Sequence, residues 1–238
     1  MILTQQRSPF PRAVIERLPR LKLASVRHIP QEVTALMEGV WQTAVGTGLH
    51  GKTLGVYAFG RIGCLVAAIG RAFGMQVVCW GREGSLAKAR EAGFPVAASR
   101  ATFFESSDII SLHIPLNKET RGLITSADLA RMRASALIVN TSRAQLIEED
   151  ALVDALRQGR PGWAAIDVFE DEPVIGGRHS LLDMANVICT PHLGYVERKA
   201  LESFYGGAID SILAFAAGSP VNVLNPAAIG RRGQHFAR

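Results

Sequence analysis

Residues 51–63 read GKTLGVYAFGRIG, a short apolar run (Thr53–Ala58) set against a glycine-punctuated turn that opens a helical stretch, Arg61–Phe73. The turn Ala58-Phe59-Gly60-Arg61-Ile62-Gly63 has the spacing GxGxxG with alanine at the first position. A turn of this kind brings backbone N–H groups and a helix N-terminus against a pyrophosphate. Gly60 permits close approach of the phosphates and Gly63 lets the helix pack on the strand, so the stretch predicts a dinucleotide site. Alanine at position 58 is expected to be tolerated through strand-like backbone angles.

Outward from this turn the pattern repeats. Met75–Trp80, Asp108–His113, Ala136–Asn140, Trp163–Val168 and Asn186–Thr190 are near-continuous apolar runs, as strands buried on both faces require. Ser85–Ala92, Ser126–Met132 and Glu148–Gln158 between them carry helical periodicity, and Gly159 and Pro161 stop the last. Alternation of strand and helix predicts an α/β fold, a doubly wound parallel sheet of Rossmann type. Residues 195–217 predict a long helix with Leu201, Phe204, Ala208, Ile212 and Phe215 along one side, closed by Gly218-Ser219-Pro220.

Composition narrows the class. The 238 residues are 48% hydrophobic and 20% charged, with mean hydropathy +0.16, and no apolar run suits a membrane span. Charges and prolines in the first residues argue against a secretory leader and for a cytoplasmic protein. Cys64, Cys79 and Cys189 lack CxxC spacing, so neither zinc nor a disulfide framework is expected. The net charge of +5 comes from the termini, since residues 29–228 hold 17 basic against 20 acidic residues. No basic stripe marks a nucleic-acid surface.

The end of the second strand reads Trp80-Gly81-Arg82-Glu83. An acid there would bind the ribose 2′-hydroxyl of NAD. Glycine and arginine instead suit a 2′-phosphate, which favours NADP(H) over NAD(H). The competing reading is a solvated loop arginine with Glu83 as its partner. Three later segments fall at strand ends on the same sheet edge: Asn140-Thr141-Ser142-Arg143, the run Asp167–Pro173 with Glu172, and Thr190-Pro191-His192-Leu193-Gly194. An arginine, an acid and a histidine converging there suit reduction of a 2-keto acid.

The phrases GKTLGVYAFGRIG, SLHIPLNKETRGLI, LIVNTSRAQLIEEDAL, AAIDVFEDEP and ICTPHLGYV resemble the D-isomer-specific 2-hydroxyacid dehydrogenases, over about residues 35–226. That resemblance implies hydride transfer between NAD(P) and a small 2-hydroxy or 2-keto acid. By it, Arg143 would hold the substrate carboxylate and keto oxygen, His192 would donate the proton, and Glu172 would orient His192. Asp167 would meet the nicotinamide carboxamide. Ala58, Gly60, Arg61, Ile62, Gly63, Gly81, Arg82, His113, Ile114, Pro115, Thr141, Ser142 and Gly194 would line the cofactor together with Arg143 and His192. Fixed cations and a proton donor stabilise the charge that develops on the keto oxygen, and a carboxylate beside the histidine favours its protonated form.

Two alanines depart from the family pattern, Ala58 and Ala144, the latter following the catalytic arginine. The stretch RSPFPRAVIERLPRLKLA resembles an early piece of the family's substrate domain, and IPQEVTALMEGVWQTAVGT the helix leading into its nucleotide domain. The expected division is therefore a substrate-domain remnant at 1–34, a dinucleotide domain at 35–205, and a C-terminal helix and tail at 206–238. The middle of the substrate domain is expected to be missing, which predicts weak catalysis. Phe204, Ile212 and Phe215 would then meet a second chain, giving a homodimer. The alternative is a catalytically weak NAD(P)-binding module acting as a sensor or partner subunit.

Overall fold

The computed structural model describes residues 28–227 apart from positions 42, 44 and 45, with side chains from residue 33 onward. Most of the N-terminal remnant expected at 1–34 thus lies outside the described residues. The chain divides into two compact units, one ending at Gly194 and the other beginning at Tyr195.

In the first unit, helix α1 (His28–Met37) precedes strand β1 (Thr53–Tyr57). Next come α2 (Gly63–Ala72), β2 (Gln76–Trp80), α3 (Glu83–Glu91), α4 (Arg100–Ser106) and β3 (Ile109–Leu112). After these follow α5 (Ser126–Arg131), β4 (Leu137–Asn140), α6 (Ala151–Arg157), β5 (Trp163–Ile166) and β6 (Val187–Cys189). The six strands form one sheet in the order β2-β1-β3-β4-β5-β6, and every pairing is parallel. All strand C-termini therefore lie along one edge, as the sequence predicts. In the second unit α7 (Arg198–Ala216) takes its N-terminal cap from Glu197, whose side chain accepts the Ala200 N–H at 3.0 Å.

Two apolar cores flank the sheet. Leu54 and Val56 point to one face and pack with Ala67 of α2 and with Val77 and Cys79 of β2. Tyr57 points to the other, where Phe103, Phe104, Ile110, Leu112, Leu129 and Ile138 are buried. Phe103 and Phe104 meet edge to face, with ring centroids 5.4 Å apart, and Phe103 meets Tyr57 in the same way. Both rings are fully buried, and loss of either would cost roughly 3–5 kcal/mol. The close seat of α4 on β1 depends on Gly55, because a Cβ there would lie 2.9 Å from the Phe103 ring.

Helix α4 is not among the sequence-predicted elements. Its seven residues are too few to show a helical period, although Ser99 caps it by accepting the Thr102 N–H at 3.1 Å. The helix expected to lead into the nucleotide domain spans 28–37 and ends before Gly39, which has φ +80.

Candidate active site

The nucleotide turn begins where β1 ends. Ala58 has φ +75, so the expectation of strand-like angles is wrong. It occupies the left-handed region that costs a residue with a Cβ about 1–2 kcal/mol. The Ala58 N–H donates to the Trp80 carbonyl at 2.7 Å, and the Phe59 N–H donates to Ser85 Oγ at 2.5 Å. These bonds tie the turn to β2 and to α3. A Cβ on Gly63 would stand 2.1 Å from the Ala58 carbonyl oxygen, so only glycine lets α2 start this close to the strand. Gly60, in contrast, faces open space, and no side chain caps the N-terminus of α2. An open glycine beside a helix start that no side chain caps suits a pyrophosphate, so these residues fit a dinucleotide.

Gly81 follows β2, where a Cβ would approach Ala58 Cα to 3.4 Å. Arg82 is exposed and its Nη2 lies 2.6 Å from Glu119 Oε2. Its partner is not Glu83, which Arg90 binds at 2.7 Å.

Past β3, His113 lies beside Ser111, with Nε2 2.9 Å from Ser111 Oγ. Burial pushes its pKa down to about 4, which keeps the imidazole neutral near pH 7. Ile114 is buried and Pro115 is exposed. The turn after β4 is built on Asn140, a buried side chain whose Oδ1 accepts the Ser142 N–H and whose Nδ2 donates to the Arg143 carbonyl. Ser142 Oγ reaches back to the Leu112 carbonyl at 2.7 Å, joining the ends of β3 and β4. Arg143 is held exposed at the tip, and Thr141 is half-buried beside it.

The loops after β5 and β6 hold an acid–imidazole pair. Glu172 Oε2 accepts from His192 Nδ1 at 2.7 Å while Glu172 Oε1 accepts the Phe169 N–H at 2.8 Å. Burial raises the Glu172 pKa. Hydrogen bonds from His192 and Phe169, with the charges of His192 and Arg143, outweigh it and hold the carboxyl below its ordinary value. His192 has φ +51, a strained backbone of the kind that functional loops retain.

The strained loop is pinned by Asp167, which is 1% exposed. Asp167 Oδ1 accepts the Leu193 N–H at 2.8 Å and the Thr190 hydroxyl, and Oδ2 accepts the Gly194 N–H at 2.9 Å. Its structural work as an anchor was not foreseen. Oδ2 retains a second lone pair for a further donor.

Sequence reasoning also missed His179. Its Nδ1 accepts the Leu181 N–H, so Nε2 carries the proton and donates to Glu170 at 3.0 Å, with the ring edge-on to Phe169. The histidine thus braces the turn that aims Glu172. A cavity of about 460 Å³ is lined by Asn140, Glu148, Glu170, His179 and Asp183 among others. Arg143, Glu172 and His192 do not line it.

Residues 20–194 match the family described as D-isomer specific 2-hydroxyacid dehydrogenase, NAD binding domain. The chain belongs to that family. The family's cofactor is a nicotinamide dinucleotide, in keeping with the glycine turn. A glyoxylate reductase of Aeropyrum pernix is 35% identical over 234 residues, which cover 94% of this chain and 67% of that protein. A solved oxidoreductase structure from Ralstonia solanacearum superposes with TM-score 0.82 and 50% identity, covering 90% of this chain and 66% of the other. The D-lactate dehydrogenase of Aquifex aeolicus, solved with NAD and lactic acid, gives TM-score 0.70 at 30% identity over 88% and 67% of the two chains. The chain spans about two thirds of the length of these relatives.

Proposed function

We propose that this chain carries the catalytic machinery of an NAD(P)H-dependent reductase of small 2-keto acids, working in reverse as a 2-hydroxyacid dehydrogenase. The observation that carries this reading is the 2.7 Å contact of His192 with Glu172. It lies on the same sheet edge as Arg143 and the glycine turn. When bound, the nicotinamide supplies the hydride. Gly60, Arg61, Ile62 and the start of α2 would hold the pyrophosphate. Asp167 would meet the carboxamide, and Ile114, Thr141 and Ser142 would line the cofactor.

The Arg143 guanidinium pairs with the substrate carboxylate and keto oxygen, where a fixed planar cation needs little reorganisation as charge develops. His192 holds one proton on Nδ1, given to Glu172, so Nε2 is the nitrogen that delivers the other proton to the keto oxygen. Glu172 fixes the orientation of the ring through Nδ1. Arg82, with no acid at the end of β2, favours the 2′-phosphate of NADPH.

Residues 1–34 are read as part of a substrate domain, 35–205 as the dinucleotide domain and 206–238 as a C-terminal helix and tail. Free thiols at all three cysteines suit a reducing, cytoplasmic setting. Phe204, Ile212 and Phe215 of α7 are exposed, which suits an interface in a homodimer. The test is oxidation of NADPH and NADH in the presence of glyoxylate, hydroxypyruvate or pyruvate, with His192→Asn as the control. No turnover above that control with any of the three acids would overturn the proposal.

A further inference from the structure

The ion pair between Arg82 and Glu119 does more than join two surface residues. Arg82 stands two positions beyond the last residue of β2, and Glu119 lies in the loop after β3. Strand β1 lies between these two in the sheet, and its end carries the nucleotide turn. The pair therefore reaches from one side of that turn to the other. Ser85, on the same helix that Arg82 precedes, also grips the turn through the Phe59 N–H.

We propose that Glu119 is a specificity-determining residue, a built-in carboxylate that competes with the cofactor 2′-phosphate for the Arg82 guanidinium. This rests on the reading above that Arg82 recognises that phosphate. A guanidinium presents a planar fork to carboxylate and phosphate alike, so both anions claim the same donors. NADH carries no 2′-phosphate and leaves the ion pair in place. NADPH must share Arg82 with Glu119 or displace it, and meets a second negative charge while doing so. The side chains of Arg82 and Glu119 are 68% and 75% exposed, so water and salt screen the pair and the competition is modest. Glu119 thus lowers the preference for NADPH that Arg82 confers, and the chain accepts both cofactors.

The experiment is a titration of the chain with NADPH and with NADH at low ionic strength, repeated for Glu119→Gln, Arg82→Ala and the double variant. Both positions are exposed, so the substitutions leave the core untouched. Glu119→Gln should tighten NADPH about 2–5-fold, the range set by an exposed ion pair, and leave NADH unchanged. The gain should shrink in the Arg82→Ala background and near 1 M salt. If Arg82→Ala leaves the NADPH-to-NADH affinity ratio unchanged, the reading of Arg82 falls and this inference falls with it. If Arg82→Ala lowers that ratio but Glu119→Gln leaves it as it was, only the competition is overturned.

Discussion

His192 and Asp167 are joined through the main chain: the carboxylate of Asp167 takes the N–H groups of Leu193 and Gly194, the two residues after the histidine. The imidazole is thus held from both ends, by Glu172 at its ring and by Asp167 at its backbone. His192→Asn should lower keto-acid reduction by on the order of 10²–10⁴, with NADPH affinity unchanged by fluorescence titration. Glu172→Gln keeps an acceptor but not the charge, and should cost about tenfold in turnover. A full-rate His192→Asn enzyme would refute the role of proton donor.

The left-handed backbone at Ala58 predicts a gain of stability from one substitution. Ala58→Gly relieves the steric cost at φ +75 but gives the unfolded chain more freedom. The net should be about 0.5–1 kcal/mol in favour of the variant, read from urea unfolding. Ala58→Val, with a branched Cβ in the same conformation, should destabilise. Equal stability of the glycine variant and the parent would show that the relief is no larger than the freedom gained by the unfolded chain.

Asp128 predicts a site at which acid weakens the fold. It is buried, pairs with Arg100 at 2.6 Å, and closes a capping box with Thr125 at the start of α5. Burial raises its pKa, but hydrogen bonds from Arg100 and Thr125 prevail and the carboxyl lies below its ordinary 3.8. A depressed native pKa means stabilisation that is complete above pH 3.8 and lost as pH falls through the lower native value. Asp128→Asn should cost about 2–3 kcal/mol near neutrality, discounted for the partly exposed Arg100. The gap from the parent should hold from pH 7 down to about 5 and narrow below 3.8. A gap that stays constant in acid would contradict this.

His179 provides a test that needs no turnover. Replacing it with alanine removes the donor to Glu170 and the ring against Phe169. Hydrogen exchange at the Phe169 amide, which Glu172 accepts, should then accelerate, while exchange in β1 and β3 stays as it was. Unchanged protection at Phe169 would mean the turn stands without its brace.

The strands were legible because each is an apolar run bounded by turn residues, and six such runs in alternation with helices leave few topologies. Their C-terminal ends then put Gly60, Arg143, Glu172 and His192 on one edge without further information. What stayed hidden depends on contacts distant in sequence. Nothing near Arg82 announces Glu119, 37 positions away, and nothing near Asp167 announces Gly194, 27 positions away. The backbone of Ala58 was misjudged because an alanine gives no local sign of a positive φ. That angle is imposed by the bond to Trp80 and the start of α2.

The acid–imidazole pair has a consequence for how such a chain can change. Asp167, Phe169, Glu172 and Gly194, which hold the His192 ring and the backbone beside it, all belong to the first unit. On the reading proposed above, the proton donor and its supports form a cassette within that unit, and Arg143 belongs to the same unit. On that reading, exchange of segments outside the unit would alter which acid is taken while His192 keeps its aim.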